Sequence, residues 1–379
     1  MEPIIEFKDY SFKYRSQVEP TLLDINLSIY PGEKVLIVGP SGSGKSTLAH
    51  CINGLVPFSF TGESTGSLKI EGQEPKELGL FGLSKLVGTV LQDTDGQFIG
   101  LTVAEDVAFS MENDCIAQDE MFERVDRVAK TVDITDLLDH APNALSGGQK
   151  QRVSMAGVIV DAVDILLFDE PLANLDPATG KRAIDLIDRI HKKNNTTILI
   201  IEHRLEDALY RDVDRIVVVG DGRIVADVRP DELLTGPVLK EQGIREPLYI
   251  TALKYAGCRI DKADLPQHIE SMNLLPYKEK VQNWYDRVQL TKKTPNREPA
   301  LEIRDLSFSY TPGQPVLSHI DFSIFRGEMV ALVGKNGAGK STLASLICGF
   351  MQPDQGEIYL NGDNLAGYPI KERGEKTGL

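Results

Sequence analysis

The sequence has no apolar run long enough to cross a membrane. Its apolar runs, such as Val35–Val38, Ile165–Phe168 and Ile198–Ile201, have the length of β-strands, whereas a membrane-spanning helix needs about 20 residues. The first residues also lack the charged-then-apolar pattern of a secretory leader. We therefore expect a reduced, soluble, cytoplasmic protein, which would work at a membrane only through a partner subunit.

Cysteine is scarce, and basic residues are outnumbered by acidic ones. The four cysteines form no C-x-x-C pair, so the sequence favours neither a disulfide framework nor a zinc site. Lys and Arg number 41 against 56 Asp and Glu, for a formal net charge of −15. Because a nucleic-acid-binding surface needs a basic footprint, we expect no nucleic acid partner. The 379 residues, 41% of them hydrophobic, are enough for two or three domains.

Two segments match the pattern G-x-x-x-x-G-K-[ST]. In this pattern backbone N–H groups wrap nucleotide phosphates, the lysine neutralises them, and the hydroxyl after it holds Mg²⁺. We therefore predict two sites for ATP-like nucleotides with Mg²⁺. Their residues are Gly39, Pro40, Ser41, Gly42, Ser43, Gly44, Lys45, Ser46 and Thr47 in the first loop, and Gly334, Lys335, Asn336, Gly337, Ala338, Gly339, Lys340, Ser341 and Thr342 in the second.

The two loops belong to a longer internal repeat. Tyr10–Tyr14 matches Leu306–Tyr310, and Gly66–Gly72 matches Gly356–Gly362. In both copies a short apolar segment precedes the loop and an apolar pattern of helical period follows it. We therefore predict, in each copy, a strand, the loop and a helix whose N-terminus faces the phosphates.

The repeat predicts a complete first domain at residues 1–236 and a partial second domain at residues 299–379. Residues 237–298 mix both charge signs, with apolar residues at helical spacing around Leu248–Tyr255, so we predict a partly helical connector. The matched spacing of the copies puts the second counterpart of Gln92 beyond residue 379. We therefore expect the second copy to lack the later motifs, and to leave sheet edges and apolar faces uncovered.

An apolar strand in the first copy ends in two acidic residues. Asp169 and Glu170 follow Ile165–Phe168, and the carboxyl ends of strands are where α/β sheets place their ligand sites. We predict that Asp169 holds Mg²⁺ and that Glu170 polarises the water that attacks the γ-phosphate. Such a pair is by itself more often a solvated strand end; downstream of a phosphate loop, the catalytic interpretation is favoured.

The segment Leu145–Gln149 reads LSGGQ and precedes a predicted helix at Lys150–Val160. Small residues at a helix N-terminus present unpaired N–H groups to an anion. A simple N-cap by Ser146 is the alternative, which these five residues alone would favour. The complete LSGGQKQR string upstream of the acidic strand makes nucleotide binding the preferred hypothesis, for the residues Ser146, Gly147, Gly148 and Gln149.

Four isolated residues depend on this set for a role. Gln92 carries an amide suited to Mg²⁺ or the γ-phosphate, and His203 follows a predicted strand and can donate to the γ-phosphate. Asp176 precedes a proline and is alternatively a turn residue. Tyr14 either packs against the sheet or stacks on the adenine ring.

The order of these motifs resembles an ATP-binding cassette (ABC) nucleotide-binding domain. The family's A-loop, Walker A, Q-loop, signature, Walker B, D-loop and H-loop correspond to Tyr14, the first phosphate loop, Gln92, LSGGQ, Asp169–Glu170, Asp176 and His203. The resemblance covers residues 1–236 in full and 299–379 in part. It implies an α/β fold, a P-loop NTPase with a RecA-like core, an antiparallel β subdomain and a helical subdomain, followed by a partial second cassette with Tyr310 in its A-loop.

Residues 92–109 and 202–206 further resemble energy-coupling-factor importers, and are similar to their fused two-cassette subunits associated with cobalt, thiamine or thiamine-precursor uptake. The resemblance implies a transport-coupled ATPase, peripheral at the cytoplasmic face of the membrane, with ATP sandwiched between one cassette's phosphate loop and the LSGGQ of another, in this chain or a second one. The segment after Gln92, with Phe98 and Ile99, would contact an integral membrane subunit. The implied catalytic residues are Lys45, Gln92, Glu170 and His203.

Three points stay open at the level of sequence. Glu105 and Asp106 are either partners of a basic membrane subunit or part of a solvated helix face. Some soluble proteins carry two cassettes and act on ribosomes or DNA, although the acidic chain and the importer-like segment disfavour this. A fragment that binds ATP without hydrolysing it is a further alternative. The transported substrate is not indicated by the sequence.

Overall fold

The computed structural model describes residues 2–93, 95–288 and 298–377, in two compact units that divide between Val288 and Gln289. The strands of the first unit are β1 (Ile5–Tyr14), β2 (Leu22–Ile29), β3 (Lys34–Val38), β4 (Gly62–Ile70), β5 (Val87–Val90), β6 (Ile165–Asp169), β7 (Thr197–Ile201), β8 (Arg215–Gly220) and β9 (Arg223–Val228). Its helices are α1 (Lys45–Ile52), α2 (Leu55–Phe58), α3 (Pro75–Leu86), α4 (Val103–Asn113), α5 (Gln118–Val132), α6 (Gly147–Ile159), α7 (Pro177–Asn194), α8 (Leu205–Ala208), α9 (Pro230–Thr235), α10 (Val238–Glu241), α11 (Leu248–Tyr255) and α12 (Lys278–Arg287).

The central sheet of the first unit has the order β5-β6-β7-β3-β8-β9, parallel except for β9. Every residue of β3 and β7 is buried, as expected for parallel strands covered on both faces. Leu36 and Val38 enter one core, and Val35 and Ile37 enter another. The parallel pairing brings the carboxyl ends of β3, β6 and β7 to one edge, where α/β sheets bind ligands.

A second, antiparallel sheet has the order β2-β1-β4. Its strands β1 and β4 approach closely at Gly66, where a Cβ would lie 2.2 Å from the carbonyl oxygen of Asp9. Gly66 also has a φ of 77°, a conformation that favours glycine. The fold is therefore the ABC cassette predicted from the sequence, with a P-loop NTPase core, an antiparallel β subdomain and a helical part that contains α4–α6.

The described part of the connector packs with the first domain rather than apart from it. The helix predicted around Leu248–Tyr255 is confirmed as α11. It contributes to a small core of its own, and Glu206 accepts a hydrogen bond of 2.9 Å from the Leu248 N–H. Asp231 likewise accepts from the Gln267 N–H at 2.8 Å. Residues 289–297 of the predicted connector lie outside the described residues.

The second unit is built from β10 (Pro299–Thr311), β11 (Gln314–Phe325), β12 (Gln355–Leu360) and β13 (Asp363–Asn364), in the order β11-β10-β12-β13, and from helices α13 (Lys340–Cys348) and α14 (Ile370–Lys376). Its β10–β11–β12 sheet and α13 repeat β1, β2, β4 and α1 of the first unit. The last residues of the predicted second domain, 378 and 379, are outside the described part of the chain.

The prediction of a strand before the second phosphate loop is wrong. Residues 329–333 form no strand, and Met329 and Val333 are 98% and 85% exposed. The matching strand β3 is paired on both sides, by β7 and β8. No strand of the described second unit pairs with residues 329–333, so its apolar pattern has no sheet to enter. The expectation of uncovered apolar faces in this copy is confirmed.

Each helix within the described ranges is too short or too polar to span a membrane.

Candidate functional site

The first phosphate loop connects β3 to α1 and folds around its own lysine. Gly44 precedes α1 with a φ of 104°. Lys45, only 4% exposed, donates from Nζ to the carbonyl oxygens of Gly39 at 2.9 Å and Pro40 at 2.8 Å. Burial lowers the pKa of Lys45, and the carboxylates of Glu170 and Asp169 partly offset this. The loop therefore holds a cation at the N-terminus of a helix, which suits phosphate.

Gly39 has no room for a side chain, because a Cβ there would lie 2.2 Å from the carbonyl oxygen of Val219. The first glycine of the loop is thus required by the packing of the loop against β8. The Oγ of Ser43 is buried and has no hydrogen-bond partner among the described residues. A buried hydroxyl without a partner is costly, and a nucleotide phosphate would supply one.

Tyr14 stands at the end of β1 beside α1. Its hydroxyl lies 3.1 Å from the Oγ1 of Thr47, and its ring meets Phe12 and Phe60 edge-on, at centroid distances of 4.9 and 6.1 Å. Phe60 also stacks on His50 at 4.9 Å. Tyr14 therefore packs against the sheet and also reaches the phosphate-loop helix. No motif of the sequence indicates Phe60, which lies in a segment without a counterpart in the second copy.

The acidic residues after β6 meet the glutamine and the histidine that were predicted to act with them. Glu170 accepts a hydrogen bond of 3.0 Å at Oε2 from the Nε2 of Gln92, and its Oε1 lies 2.9 Å from the Nε2 of His203. Glu170 has a φ of 49°, an uncommon backbone conformation for a non-glycine residue that is often found at functional sites. Two predicted catalytic residues, from two different segments, therefore converge on the carboxylate of a third.

Asp169 lies half-buried at the end of β6, with an Oδ1 that has no partner among the described residues. Burial raises the pKa of Asp169 and the Glu170 carboxylate raises it further, whereas Lys45 and His203 lower it. An orphaned carboxylate oxygen suits Mg²⁺, which prefers oxygen ligands. The Ser46 hydroxyl, in the first turn of α1, and the Gln92 amide oxygen are the other donors of this set. The residues present therefore fit a magnesium ion.

The LSGGQ segment begins helix α6, with Ser146 as its N-cap. The Oε1 of Gln149 accepts from the Ser146 N–H at 2.8 Å and from its Oγ at 2.9 Å. The capping interpretation is thus confirmed for Ser146, while nucleotide binding by this segment stays a prediction. A Cβ at Gly148 would lie 2.6 Å from Thr179, so this glycine permits close packing against α7.

Asp176 is the N-cap of α7. Its Oδ1 accepts from the backbone N–H groups of Ala178 and Thr179, both at 3.1 Å, and its Oδ2 accepts from the Thr179 hydroxyl at 2.8 Å. The buried amide of Gln151 on α6 donates to the Pro171 carbonyl oxygen. LSGGQ and Asp176 thus form a second group beside the segment that leaves Glu170.

The second phosphate loop repeats the local geometry of the first. Lys340 donates from Nζ to the carbonyl oxygens of Gly334 at 2.8 Å and Lys335 at 2.7 Å. The Tyr310 hydroxyl lies 3.1 Å from the Oγ1 of Thr342, the same distance as between Tyr14 and Thr47. The predicted nucleotide residues of this copy are therefore arranged alike, although Lys340 is more exposed than Lys45.

The sequence predicted no role for the two neighbours of His203, Glu202 and Arg204. Glu202 is 1% exposed, and Arg204 reaches the loop after β6. The sequence does show that Glu202 directly follows the wholly apolar Ile198–Ile201. A carboxylate at the end of a buried strand can itself be buried, and a buried charge is seldom without a partner.

Several proteins are similar to this chain over nearly its whole length. A Clostridium perfringens protein that carries the name ABC transporter ATP-binding protein is 57% identical over 376 residues, 99% of this chain and 66% of that protein. A Photobacterium profundum protein of the same name is 52% identical over 375 residues, again 99% of this chain and 66% of the relative. The chain thus spans slightly less than two thirds of the length of these relatives.

Among solved structures, cbiO1 of Clostridium perfringens, part of the ABC transporter complex cbiONQ, has a TM-score of 0.58 at 29% identity, over 67% of this chain and 100% of that one. A dimeric bacterial ABC transporter cassette has a TM-score of 0.52 at 29% identity, over 59% of this chain and 98% of that one. Residues 237–308 match a family described as ATP-binding cassette cobalt transporter, and residues 22–173 and 317–379 match the ABC transporter family. The chain belongs to the ABC transporter family.

Proposed function

We propose that the chain is the ATP-binding and ATP-hydrolysing subunit of an ABC importer of the energy-coupling-factor type. The observation that carries this proposal is the contact of Glu170 with both Gln92 and His203, beside the orphaned oxygen of Asp169 and the buried Lys45. This is the set of groups that phosphoryl transfer from ATP to water requires.

Each residue has a defined part in hydrolysis. The N–H groups of the phosphate loop and Lys45 bind the phosphates, while the Tyr14 ring offers a face to the adenine. Glu170 orients the attacking water and accepts its proton. His203 and Gln92, both within hydrogen-bond distance of Glu170, fix the direction of that carboxylate and contact the γ-phosphate.

Ser46, Gln92 and Asp169 would hold Mg²⁺ at this site. The bound ion supplies neutralisation of the phosphate charge that develops during transfer. The chain's own contribution is a buried oxygen without a hydrogen-bond partner among the described residues, at a strand end that also presents Glu170.

The proposed partners are a second cassette and an integral membrane subunit. We place ATP between one cassette's phosphate loop and the Ser146–Gln149 segment of the opposing cassette, a proposal supported by the similarity to a cassette solved as a dimer. The membrane contact follows Gln92, where Ile99 is 64% exposed. Phe98, which was also predicted for this contact, is instead partly buried against the core of the first unit, and Leu101, 82% exposed, is the other exposed apolar residue of the segment. These partners would place the subunit at the cytoplasmic face of the membrane.

Glu105 and Asp106 have hydrogen-bond partners in the local backbone, which favours a role at the start of α4 over a contact with a basic membrane subunit. Glu105 accepts from the backbone N–H groups of Leu101 at 2.9 Å and Thr102 at 3.1 Å, and Asp106 accepts from that of Ile99 at 2.8 Å. Both acids order the start of α4 and the segment before it, so their local role explains their position. The exposed apolar side chains of that segment remain as its membrane-subunit surface.

Cobalt is the transported substrate that we propose, ahead of thiamine or a thiamine precursor. Support comes from the match of residues 237–308 to the family described as ATP-binding cassette cobalt transporter and from the similarity to cbiO1. Neither observation favours a soluble cassette protein that acts on ribosomes or DNA.

Uptake of radioactive Co²⁺ by cells that carry the whole transporter tests this function. We expect Glu170→Gln to abolish uptake, whereas Glu120→Gln, on the exposed face of α5, should leave it unchanged. Equal uptake by the Glu170→Gln variant and the wild type would refute the proposal. If the cells take up thiamine normally with ATP but take up no Co²⁺, the assignment as a transport ATPase stands and thiamine replaces cobalt as the proposed substrate.

A further inference from the structure

Glu202 is a carboxylate buried directly before His203. It follows β7, is 1% exposed, and accepts three backbone hydrogen bonds. Its Oε1 accepts from the N–H groups of His203 at 2.8 Å and Arg204 at 3.0 Å. Its Oε2 accepts from the N–H of Leu172 at 3.1 Å. One side chain therefore joins the loop that carries His203 to the loop that leaves Glu170.

Arg204 makes the complementary contacts. Its Nη1 donates to the carbonyl oxygens of Leu172 at 2.8 Å and Leu175 at 3.0 Å, and its Nε donates to Asp207 at 2.8 Å. Leu172, fully buried, is thus held at its N–H by Glu202 and at its carbonyl by Arg204. The backbone between Glu170 and Asp176 is fixed to both neighbours of His203.

Burial of the Glu202 carboxylate has a free-energy cost. Burial raises the pKa of Glu202, although the three N–H donors lower it, and no ion pair among the described residues includes this carboxylate. A buried charge of this kind costs stability unless hydrogen bonds compensate for it. The three backbone N–H donors compensate for the burial of Glu202, and through them the carboxylate connects two loops of the site.

We propose that Glu202 is a positioning residue that locks the His203 backbone to the Leu172–Leu175 loop, so that the imidazole stays in contact with Glu170. The proposal rests on the function proposed above and adds a residue to it. Because the same loop leads to Asp176, a displacement of that aspartate is transmitted to His203. Glu202 therefore links the segment expected to face an opposing cassette with the γ-phosphate end of the site.

Hydrogen–deuterium exchange of the nucleotide-free full chain tests the lock without any ATP turnover. Glu202→Gln keeps the size of the side chain, but it replaces one acceptor by an NH₂ group that faces N–H donors. We expect exchange in peptides covering residues 170–176 and 202–206 to become at least tenfold faster, with the phosphate-loop helix α1 unchanged. Unaltered exchange in both peptides would overturn the proposal.

The matched control is Asp188→Asn. Asp188 is also a buried carboxylate of this domain, 6% exposed, but it pairs with Lys34 at the opposite, amino end of β3, at 2.5 Å. Its loss is expected to reduce stability and leave exchange at residues 170–176 and 202–206 unchanged. Equal acceleration of both peptides by the control would mean that any buried carboxylate has this effect, and would overturn the assignment.

A double-mutant comparison of ATP turnover in the assembled transporter distinguishes positioning from a general structural role. We expect Glu202→Gln to lower kcat about tenfold and to leave KM for ATP unchanged, but to have no further effect in a His203→Ala background. The same fold-loss in both backgrounds would contradict the proposal. If the wild type hydrolyses no ATP, the proposed function fails, while the exchange result still decides whether the lock exists.

Arg204→Lys provides a second variant if Glu202→Gln does not fold. Lysine keeps the charge and loses the planar guanidinium, whose Nη1 donates to two carbonyl oxygens while its Nε donates to Asp207. We expect faster exchange in the same two peptides, by a smaller factor than for Glu202→Gln. Protection equal to that of the wild type would overturn the proposal.

Discussion

The two phosphate loops are alike in local geometry and differ in what surrounds them. In both, the lysine Nζ bonds two loop carbonyls and a tyrosine hydroxyl lies 3.1 Å from the threonine at the second position after that lysine. Only in the first does a buried central strand precede the loop. A phosphate loop therefore takes its shape from its own sequence, whereas a catalytic site also needs strand ends that are distant in the chain.

Among variants that compare the two loops, the largest effect is expected where the two lysines differ in their surroundings. Lys45→Ala should weaken binding of a non-hydrolysable ATP analogue to its loop by about 10- to 100-fold, because charge-assisted bonds to phosphate are lost. Lys340→Ala should weaken binding to the second loop less, since Lys340 is more exposed. Titration of both variants by calorimetry measures the two affinities. An equal loss of affinity at both loops would show that the residues around a loop do not affect how strongly its lysine binds the nucleotide.

The core strand offers the matched pair with the next largest effect. Val38 is 1% exposed in β3, and Val333, at the corresponding position of the second copy, is 85% exposed. Val38→Ala should lower the free energy of unfolding by about 1–3 kcal/mol, and Val333→Ala by less than about 0.5 kcal/mol. Denaturant unfolding of each variant gives both values. A comparable loss at Val333 would mean that residues 329–333 are buried in solution.

Asp169 gives a smaller and opposite effect on stability. Asp169→Asn removes a like charge next to Glu170 and should raise the Tm of the nucleotide-free protein by about 2–4 °C, or ~1 kcal/mol. Because the pKa of Asp169 is raised in the folded state, its contribution to stability is full below the ordinary value of 3.8 and is lost as pH rises through the raised pKa.

Thermal unfolding between pH 4 and 7, with and without Mg²⁺ and an ATP analogue, checks this. The variant should show a weaker decline of stability with rising pH, and no added protection by Mg²⁺. Asp227→Asn, a carboxylate paired with Arg215 on the β8–β9 ribbon, is the control, and should lower the Tm instead. A lower Tm for Asp169→Asn would contradict the raised pKa.

The smallest predicted effect concerns the tyrosine–threonine contact that the two loops have in common. Tyr14→Phe and Tyr310→Phe each remove one hydroxyl contact with threonine, and both keep the aromatic face. Each should lower the free energy of unfolding by less than about 1 kcal/mol, by the same amount within error. Chemical denaturation of both variants compares them directly, and a large loss in one copy alone would break the local equivalence.

Features set by local sequence were predictable. The phosphate loops, the start of α1 and the helix at Leu248–Tyr255 depend on glycine placement and on apolar period, which a sequence displays. The convergence of Gln92 and His203 on Glu170 was predictable only through the family resemblance, because it depends on the order of strands in the sheet.

The wrong strand prediction and the missed burial of Glu202 have the same cause. Residues 329–333 have the apolar pattern of a strand, but whether a strand forms depends on pairing partners elsewhere in the chain. The sequence places Glu202 directly after an apolar strand, but it does not show the backbone donor of Leu172, 30 residues away, that partners the buried carboxylate. Patterns that report on local structure do not contain these tertiary contacts.

Single-turnover hydrolysis of radiolabelled ATP by the assembled transporter with Glu170→Gln directly tests whether Glu170 is catalytic. We predict that the variant still binds ATP, since Lys45 and the phosphate loop are intact, and that hydrolysis falls about 10²- to 10⁴-fold. Hydrolysis at the wild-type rate would contradict the assignment of Glu170, and with it the central claim that Gln92 and His203 are gathered around the catalytic carboxylate.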